Sequence, residues 1–294
     1  MNKNNSVTLF LMGEKGLSAL KAILPFKSLI QQVVGAQDKN VRADYYDDIR
    51  AVCELEQIEW HDRREQINHN SEYSIAIAWR WMIHSEGETK LIVLHDSLLP
   101  KYRGFAPLVN MLINREPYIG VTALYANSEF DKGDIIVQKK LPVIYPIRIQ
   151  DAIESVSKLY SEIIYHIFET INSGESIPSY PQDESAATYS LWRDEMDYKI
   201  DWNEDAEYIQ QFVYSLGFPF KGAYTTVDHQ KFRVLDCKVV EDVIVENRWP
   251  GKVLFVRDEC PIVVCGKGML QISKLMTDDG LDYLPLKKYR TRFE

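Results

Sequence analysis

Short, mostly apolar runs alternate with amphipathic stretches through the first half of the chain, at Val7 to Met12, Leu29 to Gly35, Tyr73 to Trp79 and Leu91 to Leu94, the last of them apolar throughout. Runs with so few polar positions suit strands buried on both faces of a parallel sheet. Between them Leu17, Leu20 and Ile23 or Leu24 recur at helical spacing with Pro25 as the stop, and Tyr45 to Leu55 predicts a second helix. Such alternation predicts an α/β, Rossmann-like domain. The turn Gly13-Glu-Lys-Gly16 lacks the G-x-G-x-x-G spacing, so a nicotinamide or flavin cofactor is not expected.

The pattern then changes. His95 ends the fourth apolar run, Ser97-Leu-Leu-Pro100 turns the chain, and Phe105 to Asn114 is helical, with Leu108, Met111 and Leu112 on one face. Gly120 to Ala126 and Ile135 to Val143 predict strands, with Asp131, Lys132 and Gly133 supplying turn chemistry between them. Ile149 to Ile171 is the clearest helix, read as packing across the sheet without a chemical role, and Gly174 lies just beyond its end. Ser173 to Ala187, rich in Ser, Pro, Glu and Gly, reads as a crossing between two domains, 1–185 and 186–294. Beyond it Glu204 to Ser215 predicts a helix with Asn203 as N-cap. Five short β-rich segments follow: Ala223 to Val227, Lys231 to Val240, Lys252 to Val256, Pro261 to Val264 and Leu270 to Leu275. They suggest a small, partly open barrel of the OB type.

Charge and cysteine usage narrow the chemistry. The four cysteines, Cys53, Cys237, Cys260 and Cys265, form no Cys-x-x-Cys pair, and the other histidines (His61, His69, His84, His166 and His229) show no ligand spacing, so no metal site is expected. The polar start Met1 to Ser6 lacks a signal-peptide core, no segment is apolar enough to span a bilayer, and a cytoplasmic protein is expected. The formal net charge is −9, where a nucleic-acid binder would be expected to show a basic footprint, and the loop Gln37 to Asp48 also holds more acids than bases. That favours a small-molecule partner over nucleic acid, and a homodimer stays open.

His95-Asp-Ser-Leu-Leu-Pro-Lys-Tyr-Arg-Gly104, Ile119-Gly-Val-Thr122, Asp131-Lys-Gly-Asp134 and Gln138 resemble the core signature of the folate-dependent formyltransferases. Ile200-Asp-Trp202, Gly217-Phe-Pro-Phe-Lys-Gly-Ala223 and Lys231-Phe-Arg-Val234 resemble the carboxyl-terminal domain of the tRNA and sugar nucleotide members, and the likeness is nearest to the sugar nucleotide N-formyltransferases. It implies 10-formyltetrahydrofolate as formyl donor, His95 as the catalytic histidine and Asp131 as its acidic partner. It places the pterin at the backbone edge of Trp81, Met82 and Ile83, with Ser97, Leu98, Leu99, Pro100 and Asn127, Ser128, Glu129, Phe130, Asp131 lining the folate site. Core packing is an equally good account of Met82 and Ile83. Acceptor contacts are implied for Lys101, Tyr102 and Arg103, before a helix amino terminus, with surface solvation as the alternative. Trp192, Arg193 and Tyr198 suit a nucleotide, or else form a surface turn.

Formyl transfer to an amine passes through a tetrahedral oxyanion, so it needs a donor for that oxygen and an acceptor for the amine proton; His and Asp can divide these roles. Taken alone, a His at a strand end is usually held by a backbone partner and an Asp before Gly suits a turn. One position departs from the family: Val93 stands where it usually has an Asn that steadies the oxyanion. Ser97 or a backbone N–H is the expected replacement. The resemblance therefore implies formylation of a nucleotide-linked amino deoxysugar for a cell-surface polysaccharide. A methionyl-tRNA formyltransferase and a non-catalytic folate or nucleotide binding relative are the alternatives. The connection His84 to Lys90 is shorter than the helix the family has there.

Overall fold

The computed structural model describes residues 6–67, 70–83 and 89–294. The polar start, His69, His84 and most of the short connection after Ile83 lie outside the described residues. Contacts divide the chain into two compact units, the first built from 1–108, 117–143 and 151–191, the second from 109–116, 144–150 and 192–294.

In the first unit the apolar runs become β1 (Val7–Leu11), β2 (Ile30–Gly35), β4 (Tyr73–Ile77) and β5 (Lys90–His95). The predicted helices become α1 (Gly13–Ile23) and α2 (Tyr46–Glu56). A three-residue strand, β3 (Trp60–Asp62), carries too little pattern to be read in advance. After β5 come β6 (Arg103–Gly104), α3 (Pro107–Ile113), most of which belongs to the second unit, and then β7 (Tyr118–Tyr125), β8 (Ile135–Pro142), α4 (Ile149–Ser173) and β9 (Tyr189–Ser190). The seven-stranded sheet runs β3-β2-β1-β4-β5-β7-β8. Its first five strands are parallel and the last two antiparallel. Every residue of β1 and β4 is buried, which is why these runs have no polar face. The strand order reverses beside β1, the crevice where open α/β sheets bind ligands, and His95 lies at the carboxyl end of the second strand along.

The buried stripe of α4, including Val156, Tyr160, Ile163, Ile164, Ile167 and Ile171, repeats at three- and four-residue intervals. Its role is not packing alone: Tyr160 donates its hydroxyl to Asp96 at 2.7 Å, with the Leu94 carbonyl, next to His95, as a second acceptor within reach at 3.1 Å.

The second unit holds α5 (Ala206–Ser215), β10 (Ala223–Val227), β11 (Gln230–Val240), β12 (Val253–Arg257), β13 (Cys260–Val264) and β14 (Met269–Thr277). The five strands form one antiparallel sheet in the order β10-β11-β14-β13-β12, with β10 and β12 at its edges. Asn203 does not cap α5. The cap position is Asp205, whose side chain makes no cap bond, and the helix start is tied instead by Ala206 N–H to the Lys267 carbonyl at 2.8 Å. Asn203 bonds back to Asp201. No helix among the described residues is long and apolar enough to cross a membrane.

Phe293 closes this core. It is 1 % exposed, its ring lies 5.6 Å from that of Trp202, and its N–H donates to the Gly251 carbonyl at 2.7 Å. Phe293→Ala is expected to cost about 3–5 kcal/mol in urea unfolding, the usual price of emptying a buried aromatic site; a loss below about 1 kcal/mol would contradict this packing.

Candidate active site

β5 places His95 at its last residue, 8 % exposed. Its Nε2 lies 2.8 Å from the Tyr102 carbonyl oxygen, which can only accept, so Nε2 carries the hydrogen and the Nδ1 edge faces the remaining space. Nδ1 stands 3.6 Å from Asp131 Oδ1, the ring nitrogen and the carboxylate turned towards each other. The other carboxylate oxygen of Asp131 accepts the Gly104 N–H at 2.8 Å. The pairing of β5 with β7 shows how a residue so far along the chain arrives here. The hairpin loop leaves the sheet beside Leu91 and Ile92, where Ala126 N–H meets the Leu91 carbonyl. It then folds back along β5, over a rise of about 10 Å for three residues, until Asp131 meets His95. Two glycines permit that path. A side chain at Gly133 would begin 1.6 Å from the Tyr125 carbonyl oxygen, and Gly104 has φ +99° with the Ser190 carbonyl oxygen 2.7 Å from where a Cβ would stand.

The loop between His95 and Gly104 is fixed from below. Thr122 Oγ1 donates to the Ser97 carbonyl (2.6 Å) and accepts from Leu99 N–H (3.2 Å) and from Gln138 Nε2 (2.9 Å), which also donates to the Leu99 carbonyl (2.8 Å). Thr122 and Gln138 are thus the struts of this loop. On its other side Asp96 is ion-paired with Lys15 of α1 and bonded to Tyr160. Burial, with Asp96 beside it, pushes the Tyr160 phenol well above its ordinary value, so it stays a donor.

Two residues expected in the site are withdrawn from it. Ser97 is fully buried and donates its hydroxyl to the Lys101 carbonyl at 2.7 Å, while its N–H donates to the His95 carbonyl. Neither group is available to replace the Asn missing at Val93. Val93 itself packs against two apolar clusters, one around Phe10, Val34 and Ala76 and one of Leu99, Leu124 and Ile135. Arg103 is 0 % exposed, and its five N–H donors are spent on Gln182, Glu184 and Tyr189. It grips this protein's own Glu184, whose carboxyl it holds below the usual range, and leaves no donor for a substrate anion. Lys101 remains exposed and Tyr102 contributes its backbone carbonyl.

At the end of β4, Trp81 stands edge-on to Trp79 with ring centroids 5.2 Å apart, and the Arg63 guanidinium lies 4.1 Å from its ring centre. Met82 is exposed, and Ile83 packs on the Phe10 cluster. Leu99 is buried, with Leu98 and Pro100 half-buried. Asn127, Ser128, Glu129 and Phe130 are exposed; Asn127 accepts the Glu129 N–H, and the Phe130 ring centre lies 6.4 Å from that of Phe105. Trp192, Arg193 and Tyr198 belong to the second unit. There Trp192 is exposed, and the Arg193 guanidinium is held by the Asn110 side chain at 2.7 and 3.1 Å.

Residues 72–166 match the family described as Formyl transferase, and residues 194–282 match Formyl transferase, C-terminal domain. A methionyl-tRNA formyltransferase of Caldanaerobacter subterraneus is 30 % identical over 198 residues, 67 % of this chain and 62 % of that protein. The chain therefore matches only about three fifths of that relative's length. WlaRD, a sugar 3N-formyl transferase solved in the presence of dTDP and 5-N-formyl-THF, superposes with a TM-score of 0.68 at 16 % identity, covering 98 % of this chain and all (100 %) of that one. HypX from Aquifex aeolicus in complex with tetrahydrofolic acid superposes with a TM-score of 0.63 at 19 % identity, over 92 % of this chain and 44 % of that chain. At those identities the two structures speak for the fold.

Proposed function

The chain belongs to the formyltransferase family, and we propose that it moves a formyl group from 10-formyltetrahydrofolate to the amine of a nucleotide-linked amino deoxysugar destined for a cell-surface polysaccharide. One observation carries the reading: His95 Nδ1 and the Asp131 carboxylate face each other at 3.6 Å at the carboxyl end of β5.

The folate supplies the formyl carbon on a nitrogen that must leave with a proton. The protein's task is to neutralise the oxygen of the attacked formyl group and to take a proton from the attacking amine. Asp131, pinned through its other oxygen by Gly104 N–H, presents Oδ1 as the acceptor. A protonated Nδ1 on His95, whose Nε2–H is held by Tyr102, is the donor, and it passes that proton to the departing nitrogen while Asp131 gains the amine's. With Val93 in place of an Asn and Ser97 engaged elsewhere, the imidazole is the group that carries the oxyanion. The flat faces at Trp79 and Trp81, one strand from His95, suit the pterin ring.

The net charge of −9 and the commitment of Arg103 to Glu184 favour a small acceptor over a polyanionic one. The likeness to a methionyl-tRNA formyltransferase supports charged initiator tRNA as the second reading. Offered formyl-folate with charged initiator tRNA and with a panel of nucleoside diphosphate amino sugars, the enzyme is expected to formylate one of the sugars and leave the tRNA untouched. Formylation of the tRNA alone would decide for the second reading. Folate binding without turnover on any acceptor, unchanged by His95→Ala, would mark a non-catalytic relative.

A further inference from the structure

We propose that Gln182, on the segment after α4, is a positioning residue that sets Asp131 against His95. The segment is laced to both halves of the site. Tyr180 exchanges backbone bonds with Ile135 at the start of β8 (2.8 and 2.9 Å), and β9 pairs with β6 in the loop that follows His95. Gln182 lies between these two attachments. Its Nε2 donates to the carbonyls of Asp131 and Gly133, both at 2.7 Å, and its Oε1 accepts from Arg103 Nε (3.2 Å) and Nη2 (2.7 Å). The orientation of the amide is forced, since Arg103 has only donors to offer and the two carbonyls can only accept.

Those carbonyls bracket the turn that gives Asp131 its left-handed backbone, φ +57°, a conformation a non-glycine residue holds only when its surroundings impose it. Gln182 imposes it from one side, and the contact of Gly133 with Tyr125 does so from the other. Arg103, wholly buried and gripped by Glu184 through both terminal nitrogens, fixes Gln182 in turn. Without the amide, both carbonyls and part of the buried guanidinium lose their partners, the turn relaxes, and the carboxylate leaves both Gly104 N–H and the imidazole. Gln182 therefore acts through Asp131.

The kinetic arm of the test rests on the transferase reading, so it is joined to one that does not. Hydrogen exchange is followed at the Gly104 amide, which donates to Asp131 Oδ2. Gln182→Ala is expected to speed that exchange about tenfold or more, as Asp131→Ala does, with the amides of β1 and β4 unchanged. Kinetically, Gln182→Ala should lower kcat about 10- to 100-fold with KM little changed, the signature of a displaced reacting group. Gln182→Glu, which keeps an acceptor for Arg103 but loses the donor to the carbonyls, should be equally impaired. In an Asp131→Asn background, adding Gln182→Ala should change the residual rate less than about twofold. Unaltered Gly104 exchange in Gln182→Ala overturns the inference, as does wild-type turnover in that variant while Asp131→Asn is dead, or full multiplication of the two losses in the double variant. Asp131→Asn turning over like the wild type would instead strike at the transferase reading and leave the exchange result to judge Gln182.

Discussion

Replacing His95 with Asn should lower kcat/KM for formyl transfer by about 10²–10⁴-fold, the range that one general acid or base supplies. Asn keeps a polar group on the Nδ1 side, but its amide is one atom too short to reach the Nε2 position, so the Tyr102 carbonyl, 2.8 Å from Nε2 in the wild type, loses its partner and a modest loss of stability is expected beside the kinetic one. What disappears is a group able to hold and release a proton opposite Asp131. Steady-state kinetics beside thermal unfolding separate the two effects, and a well-folded His95→Asn variant within about threefold of wild-type kcat/KM would remove the imidazole from the mechanism.

Asp131→Asn should cost about 10²-fold or more in kcat with little change in KM. The amide oxygen can still accept the Gly104 N–H, which leaves the new NH₂ pointing at His95 Nδ1. That reverses the polarity of the pair. A donor stands where the amine's proton must be received, and it bonds to the Nδ1 lone pair that would otherwise carry the proton for the oxyanion. Rate loss in this variant with Gly104 amide protection intact would assign the effect to charge and not to geometry. A near-normal rate would mean that some other group, or solvent, receives the proton.

His95 and Asp131 could be picked out in the sequence because the family wording around them is dense, and because an apolar run ending in His places that residue at the carboxyl edge of a sheet. The strands and helices of the first unit were legible for the same physical reason: β1 and β4 are buried on both faces and α4 on one, so each writes its environment into its periodicity. Arg103 shows the limit. A basic residue in a polar loop carries no period, and its partners Gln182 and Glu184 lie 79 and 81 residues away, so nothing local distinguishes a buried structural guanidinium from a phosphate ligand. Ser97 misleads similarly, since a hydroxyl two residues from His95 looks free until the Lys101 carbonyl is found 2.7 Å from it. The Lys15 and Tyr160 contacts to Asp96 were hidden because each of these side chains sits on an amphipathic helix whose pattern announces packing. β3 and the backbone tie that starts α5 were unreadable because three residues, or one carbonyl, leave no pattern at all.

The formyl carbon is expected to leave a folate nitrogen and arrive on an amine at the His95–Asp131 pair. Labelling that carbon isotopically and following it by NMR in the presence of wild-type protein, formyl-folate and amino sugar nucleotides tests it most directly. The label should appear in a new amide on one sugar and should stay on the folate when either the His95→Asn or the Asp131→Asn variant is used. Label recovered as free formate, or the same amide formed at the same rate by both variants, would contradict it.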